Sequence, residues 1–136
     1  MALRRKAREF ALQMLYQWDQ SGQKSAQVES LFWKAARAEA ATRKFANQLF
    51  EGAAAQVAEL DKIIKKHSKN WRLERLAVID RNILRLGIYE LRSGGDVPAK
   101  VVINEAIELA KKYSTEESAP FINGILDAVF KLQGSS

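Results

Sequence analysis

The sequence has 136 residues, of which 47% are apolar and 28% charged, with a net charge of +6 and no cysteine. This length suits one domain with its own core, the composition excludes a disordered chain, and the lack of cysteine excludes disulfides and thiolate metal sites. No apolar run is long enough to span a bilayer or to serve as a signal peptide, so we expect a cytoplasmic protein with no membrane contact. The positive charge fits either a polyanionic partner or solubility alone.

Apolar residues spaced three and four apart predict that the first half of the chain is helical. The first helix carries Leu3, Ala7, Phe10, Ala11, Met14, Leu15 and Trp18 on its buried side, and Gly22 ends it. A second helix is expected over residues 26–40, with Val28, Leu31, Phe32 and Ala35 as its apolar stripe. Thr42 is a candidate cap for one long third helix that reaches Ile64, and Gly52 within it indicates close packing.

The second half of the chain continues the helical pattern. Asn70 is a candidate cap for a helical turn over residues 72–76, and residues 77–91 are apolar on most sides, which predicts a central, buried helix. The Ser93-Gly94-Gly95-Asp96 segment breaks the pattern, and Pro98 fits the first turn of the next helix. In that helix Glu108 and Lys112 have the spacing of an ion pair.

The last predicted helix begins at a capping-box sequence formed by Ser114 and Glu117. No segment alternates with period two, and no internal repeat is visible. We therefore predict an all-α fold of about seven helices in a single domain over residues 1–136.

Few residues in the sequence could support catalysis. His67 is the single histidine, and its lysine neighbours fit an exposed helix end better than a general base. No glycine-rich phosphate-binding motif is present. Glu116 and Glu117 fit the first turn of a helix better than a cation site. We therefore expect no enzyme, no metal site and no cofactor.

The basic start of the chain reads RRKAREFALQMLYQW over residues 4–18 and places cations where the helix macrodipole disfavours them. At about 100° per residue, Arg5, Arg8, Leu12 and Tyr16 fall on or beside one outward face. Cations that neutralise phosphates beside a ring that stacks on bases would suit single-stranded nucleic acid. A solvated charged face explains the pattern equally well, so both interpretations stay open.

Three segments together resemble the NusB family of transcription antitermination factors. They are RRKAREFALQMLYQW, IDRNILRLGIYEL and DVPAKVVINEAIELAKKYSTEESAPFINGILD. The resemblance implies two small helical bundles packed together. It also implies binding to boxA, a single-stranded RNA signal of ribosomal RNA transcripts, together with the ribosomal protein NusE. The pair would then join the RNA polymerase antitermination complex.

The resemblance also implies which residues contact these partners. The RNA-binding residues would be Arg4, Arg5, Lys6, Arg8, Tyr16, Lys100, Tyr113, Glu117, Ser118 and Phe121. Asp80 would lie at the interface with the ribosomal protein. The resemblance does not decide whether the chain is a monomer or a homodimer.

Several of these residues have a simpler structural interpretation. Lys100 fits an ordinary helix-surface lysine, Tyr113 fits a side chain that closes the core, and Glu117 fits a cap. Phe121 lies about 100° from the Ile122 stripe, which favours the surface. Asp80 fits a helix N-cap. At the level of the whole chain, the alternatives are an interaction module without RNA binding and the N-terminal domain of a ribosomal RNA cytosine methyltransferase.

Overall fold

The computed structural model describes residues 2–68, 75–95 and 97–134. Within these ranges the chain forms helices and no strand, which confirms the all-α prediction. The helices are α1 (Ala2–Ser21), α2 (Ser25–Ala35), α3 (Ala40–Ala55), α4 (Val57–His67), α5 (Val78–Ser93), α6 (Ala99–Tyr113) and α7 (Ser118–Gly134). None of these described helices is both long and apolar enough to cross a membrane.

Helices α1, α2 and α3 form the first bundle, and an aromatic cluster joins α1 to α2. The Phe10 ring packs edge-on against Phe32 and Trp33, with centroid distances of 5.7 and 5.3 Å. Helix α2 ends at Ala35 rather than at residue 40, because Ala36 adopts an extended conformation that turns the chain towards α3. Leu31 is exposed, so the predicted apolar stripe of α2 is only partly correct.

The long third helix expected from the sequence is divided into two. Gln56, with φ −103° and ψ 14°, leaves helical geometry and separates α3 from α4. Thr42 is not the cap of α3, because the helix begins at Ala40 and Thr42 is buried within its first turn. The close packing expected at Gly52 is confirmed, since a Cβ atom there would overlap the ring of Tyr89.

Helices α4 to α7 form the second bundle around α5, whose predicted central position is confirmed. Its buried residues are Asp80, Asn82, Ile83, Leu84, Arg85, Leu86, Gly87 and Ile88. Gly94 ends α5 in the left-handed conformation, with φ 66°. Pro98 lies at the N-cap of α6, one residue before the expected position. The helical turn predicted after Asn70 lies mostly outside the described residues.

A polar network joins the two bundles where α1 ends. The Asp19 carboxylate accepts hydrogen bonds from Arg81, Asn82 and Arg85 of α5, with donor–acceptor distances of 2.7 to 3.1 Å. Arg85 also donates two hydrogen bonds of 2.8 Å to Asp61 of α4. Burial raises the pKa of Asp19, but the hydrogen bonds and charges of these donors outweigh it and hold the pKa below its usual value. The buried apolar side chains of both bundles form one continuous cluster.

Candidate nucleic-acid interface

Helices α1 and α6 meet through long side chains and run in the same direction. Arg5 binds Glu105, Glu9 binds Lys112, and Gln13 binds Tyr113, so the partners advance together along both helices. A cleft of about 260 Å³ lies between the helices. We call this surface, formed by Arg5, Lys6, Glu9, Gln13, Tyr16, Glu105, Lys112 and Tyr113, the α1–α6 edge.

Three cations of the α1–α6 edge reach solvent. The side chains of Arg5, Lys6 and Lys112 are 56%, 58% and 56% exposed. Two of these cations also contact acids of the neighbouring helix. Arg5 donates two parallel hydrogen bonds of 3.0 and 2.7 Å to Glu105, and Lys112 donates one of 2.9 Å to Glu9. The acids of these pairs are largely buried, but both cations are more than half exposed and so remain accessible to a polyanion.

The acids of the edge explain how cations are accommodated at the start of α1. Hydrogen bonding from Arg5 lowers the pKa of Glu105, and this outweighs the opposing effect of burial. Hydrogen bonding to Glu9 likewise raises the pKa of Lys112. Glu105 therefore stays charged beside Arg5 at neutral pH and offsets the unfavourable macrodipole of α1.

The expected exposure of Arg8 and Leu12 is wrong. Arg8 is only 4% exposed, and Leu12 is buried in the core. Arg8 turns towards α5 and donates hydrogen bonds of 2.7 and 2.8 Å from Nε and Nη2 to the Glu90 carboxylate. Its guanidinium also lies 5.9 Å from the ring centroid of Phe45. Arg8 therefore has no free donor face for a phosphate, and its geometry supports packing of α1 on α5.

Arg4 also packs towards α3, although it is less buried than Arg8. Its guanidinium lies 5.4 Å from the ring centroid of Phe45. Arg4 is half-buried, so part of the side chain remains at the surface. Among the described cations of the first two turns, Arg5 and Lys6 are the exposed ones.

Two tyrosines of the edge have different surroundings. Tyr16 is 42% exposed, as the interpretation of an outward face required. Tyr113 is half-buried against the core, and its hydroxyl donates to Glu9 at 3.2 Å and accepts from Gln13 at 3.3 Å. The core-closing interpretation of Tyr113 is thus correct for its ring, while its hydroxyl belongs to the edge.

Lys100 is exposed but does not join this edge. On a helix it lies about 140° around the axis and roughly 7.5 Å along it from Glu105, the residue that faces Arg5.

The expected pair between Glu108 and Lys112 is also wrong. Lys112 turns to Glu9, and Glu108 lies 3.7 Å from Lys111 instead.

A second group of predicted residues meets at the corner between α6 and α7. Asp80 is not an N-cap, because Ala77 holds that position in α5. Its buried carboxylate accepts hydrogen bonds of 2.6 and 2.7 Å from the hydroxyls of Ser114 and Ser118. Ser114 is the C-cap of α6, and α7 begins at Ser118, so the predicted capping box with Glu117 is also wrong. Asp80 fixes the corner from within.

The α6–α7 corner borders a cleft of about 270 Å³. Asp80, Glu117, Ser118 and Phe121 contribute to its walls, together with Arg75 and Thr115. Glu117 is exposed, Phe121 is half-buried and Ser118 is buried. The predicted site residues therefore fall into two groups, the α1–α6 edge and this corner, with Lys100 apart from both.

The sequence patterns did not reveal the acids that hold α1 against its neighbouring helices. Glu9, Glu90 and Glu105 each bind a cation or hydroxyl of another helix. Glu9 and Glu90 lie on largely buried faces, and an acid on such a face is a signal for a paired partner. The pattern does not identify that partner, because it lies 82 to 104 residues away in sequence.

The fold and the edge together define the class: a small all-α protein of two bundles with a basic, tyrosine-bearing face. Within the described residues, no group of histidine, aspartate or glutamate side chains is arranged to hold a metal ion. The model of the NusB family matches residues 5–131. The chain therefore belongs to the NusB family.

Named relatives and solved structures agree with this assignment. The transcription antitermination protein NusB of Myxococcus xanthus is 47% identical over 133 residues, which cover 95% of each chain. NusB of T. maritima is 34% identical with a TM-score of 0.85, covering 94% of this chain and 90% of that one. A crystal structure of antitermination factors NusB and NusE in complex with dsRNA matches at 31% identity with a TM-score of 0.86. The match covers 97% of this chain and 98% of that one.

Proposed function

We propose that this chain is a noncatalytic transcription antitermination factor. It binds the boxA element of ribosomal RNA transcripts together with the ribosomal protein NusE, and the pair joins the RNA polymerase antitermination complex. The whole chain acts as one RNA-binding domain and works where transcription occurs, in the cytoplasm. It requires no metal and no cofactor.

One observation carries this proposal. The chain matches nearly the full length of a NusB that was solved with NusE and RNA, and its α1–α6 edge presents exposed cations beside a tyrosine. Cations on such a surface neutralise phosphates and release counterions, which gives affinity without sequence selection. Aromatic and polar groups then select unpaired bases. The edge supplies both kinds of group on one side of the molecule.

The structure leads us to distribute the roles of the predicted residues differently. We assign phosphate contacts to Arg4, Arg5 and Lys6 and base stacking to Tyr16. Glu117 and Phe121 of the α6–α7 corner contact bases, while Lys100 touches a more distant phosphate. Tyr113 and Ser118 act through their neighbours, because their hydroxyls bind Glu9 and Asp80. Arg8 holds α1 on α5 and makes no RNA contact.

We place the ribosomal protein beside the α6–α7 corner, where Asp80 was predicted to meet it. Asp80 is buried beneath the hydroxyls of Ser114 and Ser118, so it shapes this surface rather than forming its outer layer. RNA and the ribosomal protein would then share one continuous surface. Binding of each should strengthen binding of the other, because a coupling free energy is reciprocal.

The test is a binding titration with labelled boxA RNA, a scrambled RNA and a double-stranded boxA RNA, each with and without NusE. We expect preference for single-stranded boxA and a higher affinity when NusE is present. Arg5→Ala should reduce the slope of log affinity against log salt by about 0.7, the value for one phosphate contact with a single strand. The matched control is Lys62→Ala, which removes an exposed cation of α4. Equal binding to boxA and scrambled RNA contradicts the proposal.

The two alternative functions predict different outcomes. An interaction module without RNA binding would retain NusE in a pull-down but no RNA. A methyltransferase domain would bind S-adenosylmethionine in a titration. The M. xanthus relative is covered over 95% of its length by this chain, which favours the antitermination factor over a match to part of a larger enzyme.

A further inference from the structure

A basic cleft lies where α2 turns into α3, and the function proposed above does not use it. The cleft has a volume of about 320 Å³ and is lined by Trp33, Lys34, Ala36, Arg37, Ala38 and Arg43. Three of these six residues are cations and none is an acid. We call them the basic α2–α3 cleft.

The cations of the basic α2–α3 cleft are available to a ligand. Lys34, Arg37 and Arg43 are all exposed. In the parts of the chain that the structure describes, none of the three forms an ion pair with an acid. Glu39 follows in sequence, but it does not line the cleft.

Glu29 interacts electrostatically with Arg43 of the cleft, and the negative charge of Glu29 is reduced. Burial and the neighbouring Glu51 raise the pKa of Glu29 to about 7, against the opposing charge of Arg43. At neutral pH, Glu29 therefore carries only part of its charge. The positive charge of Arg43 is then only partly offset.

Trp33 forms a fixed wall of the cleft. Its Nε1 donates a hydrogen bond of 2.8 Å to Asn47, and the Arg43 guanidinium lies 5.2 Å from its ring centroid. The rings of Phe10 and Phe32 pack against it at 5.3 and 4.9 Å. With these neighbours the indole is not a free platform for a base. The cleft therefore suits phosphate groups, which carry no sequence information.

The basic α2–α3 cleft and the α1–α6 edge lie at two ends of one row of aromatic rings. Lys6 of the edge lies 5.2 Å from the Phe10 ring centroid, and Phe10 packs directly on Trp33 of the cleft. Phe10 is itself buried, so this row lies beneath the surface, but it is short enough for a single strand that leaves the edge beside Lys6 to reach the cleft. The two surfaces are neighbours rather than separate sites.

We propose that the basic α2–α3 cleft binds the phosphate backbone of the RNA that flanks boxA, and so extends the RNA path beyond the element itself. This inference rests on the proposed function, because it needs boxA RNA on the α1–α6 edge. Contacts to the flank add affinity independently of the flank sequence. Lys34 and Arg37 supply the contacts, and Trp33 holds Arg43 beside them.

The experiment compares boxA RNA alone with boxA RNAs that carry an unpaired flank on the 5′ or the 3′ side. One of the flanked RNAs should bind several-fold more tightly, whatever the flank sequence. The double variant Lys34→Ala/Arg37→Ala should remove that gain and reduce the salt slope for this RNA by about 1.4, which corresponds to two phosphate contacts. Its affinity for boxA RNA without a flank should not change.

The matched control is Lys62→Ala/Lys65→Ala, which removes two exposed lysines of α4. We expect it to retain the gain from the flank. If the unsubstituted chain prefers boxA over scrambled RNA but the Lys34→Ala/Arg37→Ala variant keeps the full gain, the role of the cleft is overturned alone. An equal loss in the control also overturns it, since general charge then explains the effect. Failure of the unsubstituted chain to prefer boxA overturns the proposed function itself.

Discussion

Arg8 and Glu90 form a buried, bidentate ion pair that joins α1 to the central helix α5. Both side chains are withdrawn from solvent, and the two hydrogen bonds are 2.7 and 2.8 Å long. A buried carboxylate that loses its cation is left unpaired in a low-dielectric setting. The cation that resembles an RNA contact in sequence is therefore a structural residue.

Arg8→Met should lower the free energy of unfolding by about 3 kcal/mol or more, because Glu90 stays buried without a partner. The measurement is chemical denaturation, with Lys6→Met as the exposed control. The double variant Arg8→Met/Glu90→Met should recover much of the loss, since apolar groups of similar size replace both charges. A stability of Arg8→Met equal to that of the control would contradict this assignment.

If Arg5 contacts RNA as we propose, Glu105 should compete with the RNA for its guanidinium. The substitution Glu105→Gln removes the charge that holds the Arg5 guanidinium through two hydrogen bonds. We expect boxA RNA to bind several-fold more tightly, because Arg5 is released and a negative charge is lost from the edge. Affinity is measured by fluorescence anisotropy at fixed salt.

Glu108→Gln is the control for this effect. Glu108 borders the same cleft but lies beside Lys111 and accepts no hydrogen bond from Arg5. It should raise RNA affinity less than Glu105→Gln does. Equal gains from both substitutions would show that the general charge of the edge matters and the release of Arg5 does not.

Gly52 lets α3 approach α5 closely at Tyr89. Gly52→Ala should destabilise the protein by about 1–3 kcal/mol, because the added methyl group overlaps the tyrosine ring. Gly124→Ala is the control, since a Cβ atom there meets nothing within 4 Å and alanine favours the helix. Replacing the ring as well, in Gly52→Ala/Tyr89→Leu, should relieve the overlap. If thermal unfolding gave Gly52→Ala the same stability as Gly124→Ala, the close approach of α3 and α5 would be contradicted.

Glu29 should make stability depend on pH. Its pKa is about 7 in the folded chain against 4.5 for an ordinary glutamate, so the folded state holds the proton more tightly. The resulting stabilisation is complete below about pH 4.5 and is lost as the pH rises through about 7. One oxygen of this carboxyl, Oε2, is buried and has no hydrogen-bond partner among the residues that the structure describes.

Glu29→Gln tests this dependence, because glutamine cannot ionise. The variant should be more stable than the unsubstituted chain at about pH 8, by roughly 1 kcal/mol once solvent screening is allowed for, and the difference should shrink towards pH 5. Urea denaturation at both pH values gives the measurement. Glu116→Gln, at an exposed acid of the α6–α7 turn, is the control and should show no such trend.

The sequence predicted best the features that depend on local spacing. Periodicity predicted the central position of α5 and the buried stripe of α1, except for Leu3, which is exposed. Glycine chemistry predicted the end of α1 at Gly22 and the close packing at Gly52. These signals act over a few residues, so one sequence contains them completely. The family resemblance supplied the arrangement of the two bundles.

The features that the sequence did not predict depend on distant partners. Arg8 was expected to be exposed. Its buried partner, Glu90, lies 82 residues later, and no local pattern in the sequence reveals the pair. Asp80 and Ser114 both fit helix caps by their residue type, yet they hydrogen-bond each other across the α6–α7 corner. The break between α3 and α4 falls at Gln56, where no glycine or proline indicates the end of a helix. Tertiary packing overrides local preference in each case.

The network around Asp19 has a consequence for assembly. Three residues of α5 donate hydrogen bonds to this single carboxylate, and Arg85 also binds Asp61 of α4. The network therefore fixes the two bundles relative to each other. A partner that contacts both bundles therefore meets a preorganised surface, and its binding carries little entropic cost for ordering that surface. Asp19→Ala would loosen these links. A partner that contacts both bundles would then have to order them on binding, and its affinity would fall even where every contacting side chain is intact.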